Sequence, residues 1–425
     1  MPPGSRRALP GRDNAEANRS ELRVIWRAGW SFAPGLSRNR FDRAILFLSL
    51  DSRGNRLGSR HYSVFMKRFS LTLPFLVLLL GSTLAPADFV WAAQESNTDW
   101  TFAVSGDSRN CGDFVMPAIA ARVKAEGDAF YWHLGDFRWM SKQDEDLTAM
   151  TPAGSALSVD DYRKVAWDDF IAHQMASFGE LPVFLGRGNH EVAGGMTRDG
   201  YVAKFSAFLT RPEIAAQDKA DGAGASPGGS PWFHFVRNGV DFITMDNASH
   251  DEFTDAQLAW LRGVLDRDLA KGSGVTTIVA GMHEALPHST SSGHSMQDDG
   301  HGTESGDKAY RWFAAAQGAG KHVYLLASHS HFYSPAIYDS PEWRAAGMVV
   351  PGWIIGSAGA HRYLLPPTAG VGSKTHIYGY LEATVHGDGT VNFALKEIGE
   401  EEMVAHKWAG APVGAIHECF VGNSD

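Results

Sequence analysis

Cysteine is nearly absent: Cys111 and Cys419 are the two in 425 residues. That excludes a disulfide-dense fold and a thiolate-held metal cluster, and leaves either one bridge from the first loop to the C-terminus or two buried thiols. Long apolar runs are missing as well. The most apolar stretch, residues 69–80, falls short of the roughly 20 residues a membrane span needs and contains Pro74, so no permanent membrane anchor is expected. Lysine is absent from residues 1–65, which carry twelve Arg and five acidic residues; this segment is +7, so the rest of the chain is −17 within a net −10. A body that acidic repels a phosphate backbone, and no nucleic-acid partner is expected. No repeat period is present. With 44% apolar and 20% charged residues the composition is that of a globular protein, neither disordered nor collagenous.

Residues 1–65 show no sustained helical or strand period. After them come Met66-Lys67-Arg68, the apolar run 69–80 and the small-residue region 81–93, the layout of a secretory signal peptide with cleavage after Ala87, Ala92 or Ala93. Such leaders work at an N-terminus, so translation is expected to begin at Met66, with 1–65 an unstructured, misassigned upstream extension. An Arg-rich extension or an uncleaved anchor are the alternatives. The chain then divides into 1–65, a leader over 66–93 and one domain over 94–425, secreted or periplasmic.

From Trp100 strands and helices alternate. Hydrophobic periodicity predicts strands over 101–105, 129–134 and 181–185 with helices over 114–124 and 162–178 between them. A hairpin is expected over 232–236 and 240–245 across Asn238-Gly239. A helix over 254–270 has Thr254 as N-cap and Leu258, Leu261, Leu265 and Leu269 on one face. Buried strands follow over 275–280 and 322–327, and the C-terminal third (352–355, 376–385, 390–397) is strand-rich. Residues 221–230 and 288–307 read as loops. This order predicts an α/β protein of two packed sheets with helices outside.

Five of these strands run into residues that bind metals. Gly106-Asp107-Ser108-Arg109 follows the first, Gly135-Asp136-Phe137-Arg138 the second and Gly188-Asn189-His190-Glu191 the third; His283 ends another, and His329-Ser330-His331 the next. Ligands in open α/β sheets gather beyond the carboxyl ends of strands, so these residues should converge. Two carboxylates, one amide and three imidazoles suit one or two divalent ions of Mn, Fe or Zn.

In order and strand context these pieces resemble the calcineurin-like metallophosphoesterases, whose pattern is D-x-H, GD-x-x-D, GNH-D/E, H and G-H-x-H; the resemblance covers residues 101–397. It implies a four-layer α/β/β/α sandwich of two mixed sheets. It also implies metal-dependent hydrolysis of phosphomonoesters or phosphodiesters, on small-molecule or lipid-type substrates. Two metals about 3.5–4 Å apart would clamp the phosphate and activate a hydroxide. Carried over, Asp136 bridges both ions, Asn189, His283 and His329 complete one, and Asp107 and His331 belong to the other. His190 protonates the leaving oxygen, and Asn189 and His190 orient the phosphate.

The first motif departs from that pattern. Arg109 stands where a histidine ligand belongs, and a guanidinium has no lone pair to coordinate a cation. It can instead hold a phosphate oxygen, so the site runs on two unequal metals or on one metal plus Arg109; the other reading is a degenerate site that binds phosphate ligands without catalysis. His133 lies three positions before Asp136 and should point to the opposite sheet face. Arg138-Trp139 replaces a second Asp, and also the metal-binding Tyr of the purple acid phosphatase branch, which argues against that branch. Ser328 replaces the usual Gly before His329, a change in loop freedom more than in chemistry. Glu191 is expected to bond the backbone. The segment holding His288, His294, Asp298, Asp299 and His301 matches no ligand spacing and reads as a solvated loop over the cleft. Phe332, Tyr333, His361 and Arg362 follow strand ends at the pocket's edge, with the aromatics packing in core or rim; Trp167 and Phe170 read as core. A metallo-β-lactamase type site would need Asp-His after the His-x-His pair, where Phe332-Tyr333 stand.

Overall fold

The uncharged run Thr101-Phe102-Ala103-Val104-Ser105 can be buried on both faces, and it becomes β1 (Trp100–Ser105), an inner strand of the first of two sheets. The computed structural model describes residues 98–425 apart from 153–154, 223–227, 249–251, 292 and 298–300. The expected upstream extension and leader, and Asp298 and Asp299, lie outside the described residues. From β1 the chain passes through the helix Gly112–Glu126 to β2 (Tyr131–His133), and through the helix Val159–Asp169 to β3 (Val183–Leu185). These three strands are parallel, in the register Val104↔Trp132↔Phe184.

The second sheet begins with the expected hairpin, β4 (Phe233–Arg237) and β5 (Val240–Thr244). Asn238 and Gly239 both take positive φ (49° and 78°), as a two-residue hairpin turn matched to strand twist requires. Then come β6 (Thr277–Gly281), β7 (His322–Ala327), β8 (Tyr333–Pro335) and β9 (Gly352–Ile355), in the order β4-β5-β6-β7-β9-β8 with β5, β6, β7 and β9 parallel. β10 (Tyr378–Val385) and β11 (Val391–Ile398) return to the first sheet, giving β11-β10-β1-β2-β3 with two antiparallel pairs. Both sheets are mixed.

Period-two alternation separates two cores. Phe242 and Val279 face the first sheet, where Phe242 meets Phe102 and Phe130 edge-on at 5.0 and 5.1 Å, and Phe184 stacks on Phe235 at 4.2 Å. Their neighbours Ile243, Ile278 and Ala280 face the other way, toward the helix Asp255–Leu269, which buries Leu258, Leu261 and Leu265. Thr254 caps that helix by accepting the Gln257 N–H, as expected; Leu269, expected on the buried face, is 37% exposed because it lies in the last turn beyond the sheet. On the far side the helix Gly112–Glu126 covers the first sheet with Phe114, Val115, Ile119 and Val123. The result is the four-layer α/β/β/α sandwich of two mixed sheets that the resemblance to calcineurin-like phosphoesterases implies.

Three expectations about local structure are corrected. The helix expected over 162–178 leaves α geometry after Asp169 for a π-turn (Phe170–Gln174) and a 3-10 turn (Met175–Phe178). There Phe170 stacks on Phe137 at 4.2 Å and Gln174 donates to Asp113 at 3.0 Å, tertiary contacts that override the helical period. Residues 301–307, read as loop, open the helix His301–Gly318, whose glycines masked the pattern; Gly306 is needed because a Cβ there would stand 2.5 Å from Pro287 Cδ. The strand-rich C-terminal third also ends in helices, Glu400–Ala405 and Val413–Gly422. Among the described residues, no helix is long and apolar enough to cross a membrane.

Candidate metal centre

The parallel strands of both sheets end on the same edge, and there the sheets touch. A Cβ on Gly106, just past β1, would lie 2.6 Å from Ser328 Cβ, just past β7, so a glycine is required where these ends meet. Gly106 N–H donates to Ile355 O (3.0 Å) and Ala360 N–H to Asp107 O (2.9 Å), so the loop leaving β9 binds the loop leaving β1 across the sandwich. Asp107, Asp136 and His329 all take left-handed backbone (φ 59°, 62° and 65°), a strain of order 1–3 kcal/mol each that these cross-bonds sustain.

Four of the candidate ligands form one cage. His283 Nε2 lies 3.0 Å from Asn189 Oδ1, 3.1 Å from His329 Nδ1 and 3.3 Å from Asp136 Oδ1. Neighbouring ligands about 2.1 Å from an ion stand about 3.0 Å apart in an octahedron and about 3.4 Å in a tetrahedron, so the cage fits a first-row divalent ion. The Asn189 carboxamide oxygen faces acceptors. Turned over, its nitrogen would lie 3.2 Å from both His329 Nδ1 and Asp136 Oδ1, so the amide's orientation depends on whether a cation lies among them. The electrostatics agree. Burial opposes charge on His283, but Asp136, with Asp107 and Glu284 behind it, raises the imidazole to about 10, while burial and then the His283 charge hold His329 well below the usual range. Burial would raise Asp136, yet His283, His190 and Arg109 keep it well below the usual carboxylate range. The cage therefore attracts positive charge.

Asp107, Asp136 and His331 form a second triad that shares Asp136. His331 Nδ1 donates to His361 O at 2.6 Å, so Nε2 keeps the lone pair, 3.2 Å from Asp107 Oδ1. Arg109 points into this triad. Its Nη2 donates to His331 Nε2 at 3.0 Å and to Tyr363 Oη at 3.3 Å, its Nε stands 3.7 Å from Asp136 Oδ2, and its guanidinium lies 4.8 Å from the Trp139 ring centre. Burial, then the Arg109 charge, push His331 down to about 4.

His190 projects beside the cage: its N–H donates to Asp136 Oδ1 (2.9 Å), Nδ1 donates to Trp139 O, and Nε2 is 3.7 Å from Asp136 Oδ2. Glu191 bonds the backbone, accepting from Gly188 and Asp136 N–H (both 2.7 Å) and Phe137 N–H (2.9 Å). Gly188 must be glycine, because a Cβ would sit 2.3 Å from Asp136 Oδ1. His133 is turned away from the cage, its Nε2 on Ser108 Oγ (2.9 Å). Arg138 also turns away, into a buried set of carboxylates that includes Asp113, Asp146 and Asp169. His288 packs on Trp343 at 5.4 Å, apart from the ligands, and His301's side chain lies outside the described residues.

Some expectations about this edge change. Arg362 faces the C-terminus instead of the pocket, donating to Asn423 O (3.0 Å) and Phe420 O (2.7 Å), while Phe332 packs in the second core, as expected of the aromatics. His294 belongs to the site: it stacks on Tyr363 at 5.3 Å, and Tyr363 stacks on His331 at 4.0 Å. Ser328 does more than free the loop, since its hydroxyl and Leu134 O both lie 3.1 Å from His283 Nδ1 and fix which nitrogen faces the cage. Sequence reasoning missed Tyr363 because it lies eight positions beyond a strand end, where no local pattern marks it. Cys111 and Cys419 form a disulfide, and Cys111 N–H donates to Gly359 O (3.1 Å), so the bridge ties the final helix to the loops that carry Arg109 and Tyr363.

No protein-family model and no curated protein matches this chain. Among solved structures it is similar to a purple acid phosphatase from yellow lupin (Lupinus luteus) seeds, at 13% identity over 71% of this chain and 52% of that one, with a TM-score of 0.49. It is also similar to PhoD (14% identity, 71% and 69% covered, TM-score 0.44) and to a dimetal phosphatase from Danio rerio (13%, 68% and 93%, 0.39). The chain thus spans about half the length of the lupin enzyme.

Proposed function

We propose that this protein is a metal-dependent phosphoester hydrolase. The observation that carries the reading is Asp136, one buried carboxylate shared by the triads Asp136–His283–His329 and Asp107–Asp136–His331, with Asn189 closing the first. Those residues would hold one or two divalent ions of Mn, Fe or Zn. When bound, the metal supplies Lewis-acid charge at a phosphoryl oxygen and a water acidic enough to attack phosphorus.

The chain's own groups do the rest. His190 spends Nδ1 on Trp139 O, which fixes the ring and leaves Nε2 to give a proton to the leaving oxygen. Arg109 brings positive charge to the phosphoryl oxygens from under Trp139 and Tyr363. Such a site takes a small phosphoester or a lipid headgroup. Export to an oxidising compartment is part of the proposal; the leader-like stretch 66–93 and the Cys111–Cys419 bridge support it.

The test is hydrolysis of p-nitrophenyl phosphate and bis(p-nitrophenyl) phosphate by the protein loaded with Mn, beside Asp136→Ala. Chelator-sensitive turnover that the variant lacks is the expected result. An inactive protein that still retains an ion, whether Mn, Fe or Zn is supplied, would favour a non-catalytic phosphate-binding protein.

A further inference from the structure

The two halves of the centre differ in whether their lone pairs are free. In the cage of Asp136, Asn189, His283 and His329 no guanidinium or ammonium touches the inward ligand atoms at hydrogen-bond distance among the described residues. In the other triad, His331 Nε2 already accepts a hydrogen bond from Arg109 Nη2 at 3.0 Å, and its other nitrogen is committed to His361 O at 2.6 Å. An ion at that position would need the lone pair that Arg109 occupies, and would bring two like charges into contact.

Arg109 is not placed to swing clear. It is 6% exposed, with Trp139 against its guanidinium, Tyr363 Oη on Nη2, and the Tyr363 ring itself stacked on His331. Cys111, two residues on, is fixed by the bridge to Cys419. The triad behind it is otherwise built, and Asp107 Oδ1 has no hydrogen-bond partner among the described residues.

We infer, on the reading above, that this is a one-metal centre in which the Arg109 guanidinium takes the place of the second ion. The single ion belongs to the cage with Asn189, and His331 serves to seat Arg109. Restoring a neutral ligand at position 109 should open the second position.

The experiment is metal content and Mn(II) paramagnetic resonance on the full protein and on Arg109→His, after Mn loading and dialysis. The expected result is one ion per chain with an isolated six-line spectrum for the wild type, and two ions with a coupled spectrum for Arg109→His. Arg109→Met, which removes the charge without adding a ligand, should hold a second ion more weakly than Arg109→His and covers the case in which the histidine variant does not fold. Two tightly held, coupled ions in the wild type would overturn the inference while leaving the hydrolase reading intact. One ion in every variant would overturn it too, since Arg109 would not be what excludes the second. No retained ion at all would remove both readings.

Discussion

Glu191 accepts the backbone N–H of Asp136 at 2.7 Å, so the loop that presents Asn189 and His190 holds the loop that presents the shared carboxylate. Its remaining bonds go to Gly188 and Phe137. Glu191→Gln would turn one of these acceptors into a donor facing an N–H. That should cost about 1–3 kcal/mol of stability and weaken metal binding about 10–100-fold. Thermal unfolding of the metal-free variant and a metal titration check this, and wild-type values in both would remove its positioning role.

His190 is assigned to the leaving oxygen, which makes its importance depend on the substrate. His190→Gln should lower turnover of an alkyl phosphoester by about 10²–10⁴-fold and that of a nitrophenyl ester much less, because nitrophenolate leaves without a proton. Rates across a series of leaving groups test it. An equal loss on every ester would make His190 a phosphate-binding residue and not an acid.

The Cys111–Cys419 bridge closes a separation of 308 residues and lies two residues from Arg109 in sequence. Replacing both cysteines by Ala should lower stability by about 2–4 kcal/mol, read from denaturant unfolding. Turnover should fall as well, because the loops holding Arg109 and Tyr363 lose an anchor. A variant that is destabilised yet fully active would confine the bridge to stability.

His234 is buried between Asp221 Oδ2 (2.7 Å) and Asp241 Oδ2 (2.8 Å), with Arg267 also on Asp221 and Asp268 near Asp241. Burial opposes its charge, but the two carboxylates raise the imidazole from 6.5 to about 9. A raised histidine contributes stability that is fully present below its unfolded pKa and lost as pH rises through the folded one. The unfolding free energy should therefore fall from pH 6.5 to 9 by on the order of 2 kcal/mol, read as a declining melting temperature, and His234→Gln should flatten that decline. Asp268, raised by burial and Asp241 to about 8, acts in the same direction and leaves a residual slope in the variant. An unchanged profile in His234→Gln would assign the whole dependence to other groups.

The strand ends were legible because burial on both faces writes itself as short uncharged runs, and a turn residue follows each: β7 and β9 lie where expected, 322–327 and 352–355. The hairpin turn at Asn238-Gly239 and the Thr254 cap were legible for the same local reason. The helix His301–Gly318 was not, since its buried residues Tyr310 and Phe313 are preceded by glycines that read as loop. Nor was the break after Asp169, where the contacts of Phe170 and Gln174 with distant residues set the geometry.

By itself the sequence determined which chemical groups stand at which strand ends: Asp107, Asp136, Asn189, His283, His329 and His331 are oxygen and nitrogen metal ligands by side-chain type, and the parallel order of the strands brings them to one edge. Tertiary structure alone decided how these groups share their lone pairs. Arg109 meets His331 across 222 residues of chain, Tyr363 closes over both, and Ser328 chooses the nitrogen that His283 turns inward. Ligand type and strand period are properties of a few neighbouring residues. The lone pair a guanidinium finds is set only when the ends of two sheets pack within van der Waals contact, as they do at Gly106 and Ser328.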